Sequence, residues 1–201
     1  MANKRREFTQ AEAADMESDQ LYERCQFDGL SLKHLDLTQC EFVACSFRNA
    51  DLTNARLNGV TFTECDLSSA KLAGANLFSA QFEGCKLLGV NLADDTNLTA
   101  TKFKRCNFDF CNFRGRSLEN LRFGECSFIE ADLSLTHLKK TVFLKCNLER
   151  VEWREAAFEQ TDLRGSQLAG LNLRQHDLKG AILSPDQFGE LAHELGIQLL
   201  K

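Results

Sequence analysis

From Tyr22 onward, every fifth residue of this chain is large and apolar. The series runs through Phe27, Leu32, Leu37 and Phe42 to Leu92, slips by one residue within LADDTNL, and resumes at Leu98 to end at Leu183. All 33 positions hold Leu, Phe, Tyr or Trp. An amphipathic helix returns its apolar residues at three and four, and a half-buried strand at two, so a strict five satisfies neither. A second series of small residues lies two positions earlier, including Cys25, Ala50, Val60, Cys65 and Ala70, and it contains all nine cysteines. Two inward positions separated by two residues describe a short extended segment, and a turn must then reset the direction. One such unit cannot bury its own apolar face, so the units must coil and stack.

The number of units per coil follows from column identity. Every twentieth residue gives Tyr22, Phe42, Phe62 and Phe82, then Phe103, Phe123 and Phe143 beyond the slip, and Leu163 ends this aromatic run. The same step through the small series gives Cys25, Cys45, Cys65, Cys85, Cys106, Cys126 and Cys146. Four units per coil place each set in one vertical stack, which predicts a square cross-section. About eight coils at about 4.8 Å spacing make a rod about 40 Å long. Because both columns survive the slip, Asp94 and Asp95 are expected to absorb one bulged residue at a corner.

The cysteine column suggests neither metal nor disulfides. Parallel side chains one strand spacing apart miss disulfide geometry, and nothing converges as zinc requires; buried free thiols acting as small hydrophobes are expected. Arg116 and His176 break the pattern of the inward positions, and an Arg there needs a partner or a local distortion. His34 and His137 fall at outward or corner positions, and His193 lies near the C-terminus. No paired-histidine helix, phosphate loop or nucleophile elbow is present. A rod filled with Phe, Leu and Cys leaves no cleft, so no enzyme activity, catalytic residue, cofactor, metal or small-molecule substrate is expected. The formal charge of −5 argues against direct nucleic-acid or polybasic membrane binding. Without an apolar run of membrane length or a secretory signal pattern, a cytoplasmic location is expected.

Three segments follow: a tail or cap over 1–21, the repeats over 22–183 and a closing module over 184–201. In the last, Ser184 serves as N-cap, Pro185 opens a helix, Gln187 completes the capping pattern and Gly196 stops it; IQLL at 197–200 reads as a short strand. At the other end, Thr9 and Glu12 can form a capping box over QAEAADMES, or the segment can be a frayed tail. Residues 1–7 are expected to be disordered.

The units ADLTN at 50–54, ANLFS at 75–79 and ADLSL at 131–135 follow an A(D/N)LXX pattern, and the chain thereby resembles the pentapeptide-repeat proteins over residues 25–183. The resemblance implies an all-β, right-handed quadrilateral β-helix with a short C-terminal capping helix. The C-terminal third is similar to the quinolone-resistance subfamily through Trp153, Ala156, Phe158, Asp162, Leu163, Asn172, Leu173, Asp177, Leu178, Leu195, Gly196 and Ile197. That likeness implies a DNA-mimicking homodimer that binds DNA gyrase or topoisomerase IV and protects it from quinolone-type poisons. Many members carry multi-residue loops between coils, whereas this chain has only the one-residue slip. Charge is uneven along the rod: residues 25–100 carry 9 acidic and 5 basic residues, and residues 101–185 carry 11 acidic and 14 basic. The acidic part nominates Asp28, Asp36, Glu41, Asp51, Glu64, Asp66, Glu83, Asp94 and Asp95 as partner-binding residues. Phe188, Leu191, Leu195, Ile197 and Leu199 are nominated for dimerisation, since they exceed what one coil end can cover.

Overall fold

The structure is a computed structural model that describes residues 3–4, 6–171, 176–194 and 197. Asn172, Leu173, Leu195, Gly196, Leu199 and, apart from Ile197, the strand expected over 197–200 lie outside them. The chain is an all-β parallel solenoid. Strands β1 (Asn3–Lys4), β2 (Leu21–Glu23), β3 (Glu41–Val43), β4 (Thr61–Thr63), β5 (Gln81–Glu83), β6 (Lys102–Lys104), β7 (Arg122–Gly124) and β8 (Val142–Leu144) form one parallel sheet in sequence order. Three further ladders of single bridges run parallel to it, through Gln26–Ser46–Asp66, Ser31–Asp51–Lys71 and Asp36–Arg56–Asn76. Four ladders define the four faces that the twenty-residue column identity predicts.

At three of the four corners of a regular coil the chain makes a turn whose third residue has positive φ, as at Asn54 (56°), and whose fourth N–H returns to the first carbonyl, as from Ala55 to Leu52 at 3.0 Å. That is the pattern of a type II turn, and it explains the Gly and Asn so common at this step. Where the residue before the central position is Asp or Asn, it also acts locally, because its side chain accepts the N–H two residues on, as Asp51 does from Thr53 (3.1 Å) and Asn91 from Ala93 (3.0 Å). This Asx geometry locks the turn.

Inside, Tyr22, Phe42, Phe62, Phe82, Phe103, Phe123 and Phe143 form one continuous stack with ring centroids 4.9 to 5.2 Å apart. The stack passes through the slip unbroken, because Phe82 pairs with Phe103 in register although 21 residues separate them. A second column meets it edge to face, as Phe47 does Phe42 at 5.0 Å and 87°.

All nine cysteines are buried and unbridged, but they are more than small hydrophobes. At the corner following β2 the turn is left open, and the thiol of the next coil closes it. Cys45 Sγ accepts from Cys25 N–H (3.4 Å) and donates to Tyr22 C=O (3.3 Å). Cys65 does the same for Cys45 N–H and Phe42 C=O. After Cys146 the column continues with Ser166, whose hydroxyl accepts from Cys146 N–H and donates to Phe143 C=O, both at 2.9 Å. A thiol can donate and accept, though weakly, so the column needs a small side chain with both capacities. Burial pushes the Cys111 thiol up to about 12 and raises that of Cys40.

The ends are closed by chain segments outside the repeat. Within the stretch expected to be disordered, residues 3, 4 and 7 instead add a level to the solenoid: Asn3 and Lys4 pair with Tyr22 and Glu23, and Glu7 bridges Gln26. The exposed edge of the first coil supplies the hydrogen-bond partners that these polar residues lack as an isolated peptide. The frayed-tail alternative gives way to α1 (Gln10–Ala14), started by a Thr9–Glu12 capping box. Phe8, Ala13 and Met16 cover the core, and the Gln10 amide donates to Ser31 C=O and accepts from Ser31 N–H, each at 2.8 Å. At the far end α2 (Pro185–Glu194) buries Leu191 and Ala192. There Gln187 Nε2 donates to Leu163 C=O and Ser166 C=O at 2.7 Å, while its Oε1 accepts from Ser184 N–H at 2.9 Å. Each end is thus closed by a glutamine amide standing in for a missing coil.

The thiol bridge predicts a specific ranking. Cys65→Ala orphans Cys45 N–H and Phe42 C=O and is expected to cost about 1–3 kcal/mol, whereas Cys65→Ser, which keeps a donor and acceptor, is expected to lose less than half of that. Urea unfolding of the two variants measures the difference; equal losses would show that the thiols only fill space.

Candidate protein-interaction surfaces

The nominated carboxylates are distributed over all four sides. Glu41 on β3 and Glu83 on β5 share the sheet face; Asp66, Asp51 and Asp36 each belong to a different ladder; Asp28, Glu64, Asp94 and Asp95 lie at corners. Several are already engaged. Although burial alone would raise it, the Asp28 carboxyl is held below its usual range by Ser46 and by Arg48, whose Nη2 and Nε both donate to Oδ2, at 3.0 and 3.1 Å. Hydrogen bonds from Thr38, reinforced by Arg56 at 2.9 Å, lower Asp36. Asp51, against the opposing effect of burial, is lowered by Thr53 and by Lys33 at 3.2 Å. Lys104 and Arg105 lower Glu83, at 3.4 and 2.7 Å. Asp66 accepts from Ser68 N–H and hydroxyl. Glu41 and Glu64 form no ion pair among the described residues, and both are exposed.

The structure adds acidic residues that the repeat pattern could not nominate, because they precede it. With the N-terminal cap folded onto the rod, exposed Glu7, Asp15, Glu17 and Asp19 join the same end. Residues 6–100 then carry 15 acidic and 7 basic side chains. Five levels at about 4.8 Å span about 24 Å, over which duplex DNA carries about 14 phosphate charges. The acidic side chains match that number, and the intramolecular cations reduce the net charge to a little over half of it.

The slip and Arg116 are one local structure. The ladder runs Asp36–Arg56–Asn76–Asn97 and resumes at Ser117–His137–Ala157, with no bridge from Asn97 to Ser117. Arg116 reaches into this break, donating from Nη2 to Thr96 C=O, with Nη1 4.0 Å from the fully exposed Asp95; its Nε is buried without a partner. Asp94 is held at the corner by Asn91 Nδ2 at 2.8 Å. The other inward exception, His176, is partly buried, and burial lowers its pKa.

Of the dimerisation set, Leu191 is buried in the chain's own core, while Phe188 and Ile197 are 56% and 49% exposed. Phe110 is another apolar surface residue, 57% exposed with φ of 60°, a conformation uncommon for a bulky side chain. Among the described residues no three His, Cys, Asp or Glu side chains are arranged to hold a metal ion.

The sequence profile of the pentapeptide repeat region matches residues 18–92, 75–153 and 96–183, and the chain belongs to the pentapeptide-repeat family. No curated protein matches the chain at a significant level. Among solved structures, a trypsin-treated variant of QnrB1, a plasmid-mediated fluoroquinolone resistance protein, superposes with a TM-score of 0.84 at 21% identity, covering 100% of this chain and 98% of that one. Full-length QnrB1 gives 0.75 at 22% identity, covering 98% and 97%. HetL, a pentapeptide repeat protein involved in heterocyst differentiation regulation from the cyanobacterium Nostoc sp. strain PCC 7120, gives 0.52 at 24%, covering 88% and 76%. These likenesses show a shared fold.

Arg116→Ala is expected to destabilise the protein by about 1–3 kcal/mol by orphaning Thr96 C=O, read by chemical unfolding. A neutral result would place the guanidinium in solvent rather than in the ladder break.

Proposed function

We propose that this protein is a non-enzymatic, cytoplasmic homodimer that binds a type II topoisomerase, DNA gyrase or topoisomerase IV, and modulates it or protects it from quinolone-type poisons. The observation that carries this reading is the end-to-end superposition on a fluoroquinolone resistance protein, in which both chains are covered almost completely. It is supported by the subfamily-like C-terminal third and by the acidic end of the rod, where Glu41, Glu64 and, in the cap, Glu7, Asp15, Glu17 and Asp19 add exposed negative charge for a basic, DNA-binding surface. Nine buried thiols suit a reducing compartment. The dispersal of the nominated carboxylates over four sides favours a second reading, a scaffold for another protein partner, since the fold specifies a shape and not a ligand.

Purified protein is expected to bind gyrase or topoisomerase IV, and to alter supercoiling or reduce quinolone-stabilised cleavage complexes at micromolar concentration. No binding and no effect on either enzyme would leave the scaffold reading.

Dimerisation is assigned to the exposed apolar residues of the closing module, Phe188 and Ile197, because a twofold contact closes without a growing end. Light scattering is expected to give twice the 22.7 kDa chain mass, and Phe188→Glu with Ile197→Glu is expected to return it to one chain while leaving the buried Leu191 cap intact. A wild-type monomer throughout the micromolar range would overturn the assignment.

A further inference from the structure

We propose that the face built by β6, β7 and β8 is a docking site for an acidic peptide segment of a partner protein that presents an apolar side chain. This site lies in the basic half of the rod and stands independently of the topoisomerase reading. Outward positions on this face form two rows, Lys102–Arg122–Val142 and Lys104–Gly124–Leu144. Gly124 is a gap in the second row, and around it opens a groove of ≈ 550 Å³, within the range of about 300–1,000 Å³ typical of ligand sites. Val142 and Leu144 give it an apolar wall, and Leu144 is 48% exposed.

The rim is cationic. Lys102 and Arg122 are exposed and form no ion pair among the described residues, and Lys104 shares Glu83 with Arg105. On this face the carboxylates of the neighbouring coils have cations of their own: Glu83 has those two, and Asp162, beside Val142, has Arg164 at 2.7 and 2.9 Å, with Arg122 adding to its field from a longer distance. Cations with surplus charge around an apolar floor fit a carboxylate-rich strand carrying a Leu- or Phe-like anchor, with charge setting encounter and orientation and the anchor supplying desolvation. A nucleic acid would find the 14 basic residues of this half largely offset by 11 acidic ones, in a chain with net charge −5.

The groove can be filled without straining the backbone. Gly124 is not in the left-handed region, and a Cβ there would meet nothing nearer than Lys104 Cγ and Phe103 O at 4.0 Å. Fluorescence anisotropy with a fluorescein-labelled peptide alternating aspartate and leucine is expected to show saturable binding to the full chain. Binding should weaken at least about tenfold, about 1.4 kcal/mol, in Gly124→Leu and in the double variant Lys102→Glu, Arg122→Glu, and a lysine–leucine peptide should not saturate. No saturable binding of the acidic peptide, or unchanged affinity in either variant, would overturn the proposal. So would wild-type self-association abolished by Gly124→Leu, because the occupant would then be a second copy of this chain.

Discussion

Everything in this molecule depends on the hydrogen bonding between successive coils. The strand segments are two or three residues long, far too short to form a sheet alone, and they find backbone partners only in the coils above and below. That dependence demands that each coil place the same kind of residue over its neighbour. A Phe over a Phe at about 5 Å keeps both the ladder spacing and the ring stacking satisfied. It also leaves three places vulnerable: the two ends, where half the ladder has no partner, and the slip, where the count changes. The chain answers each with a single polar side chain: Gln10 on Ser31, Gln187 on Leu163 and Ser166, and Arg116 on Thr96.

The cysteine column answers a fourth deficit of the same kind. Where the turn after the sheet face opens, an N–H and a C=O would be buried unpaired, and the next coil's thiol lies between them. Seven cysteines followed by Ser166 is therefore a chemical regularity as well as a steric one. Alanine, which fits other columns of the small series, would leave both groups orphaned at a cost that repeats with each coil.

The repeat was legible because it is written many times. Columns of Phe and Cys twenty residues apart fix the number of units per coil, and their persistence past Asp94 and Asp95 fixes the slip as a bulge. What occurs once was harder to read. Asn3, Lys4 and Glu7 are polar and carry no period, and their order comes from the first coil's unpaired edge. The Thr9–Glu12 capping box was visible, but whether its helix would stay folded depended on Phe8, Ala13 and Met16 finding the open core. Arg116 stood out as an exception in the sequence, yet its link to the slip is tertiary, since the two sites lie one coil apart and meet only after stacking. Leu191 was legible as apolar and helical, and only packing separates its capping role from the exposure of Phe188.

The same logic separates residues that build the rod from residues that can address a partner. An Asp or Asn before the central position accepts a turn N–H wherever it occurs, and Asp36 and Asp51 are also tied to cations on neighbouring coils, so acidity at those positions belongs first to the fold. Substituting them would change the turn and the surface together. Positions that carry no such duty are freer to vary in charge and size: the outward residues of the sheet face, the third residue of each corner and the non-repeating caps. Glu41, Glu64, Phe110, Lys102, Gly124 and Leu144 all lie at such positions. A regular solenoid can therefore hold one backbone while its two halves carry opposite character, acidic toward the N-terminal cap and basic around an apolar groove beyond the slip, because the departures from the repeat cost the fold least.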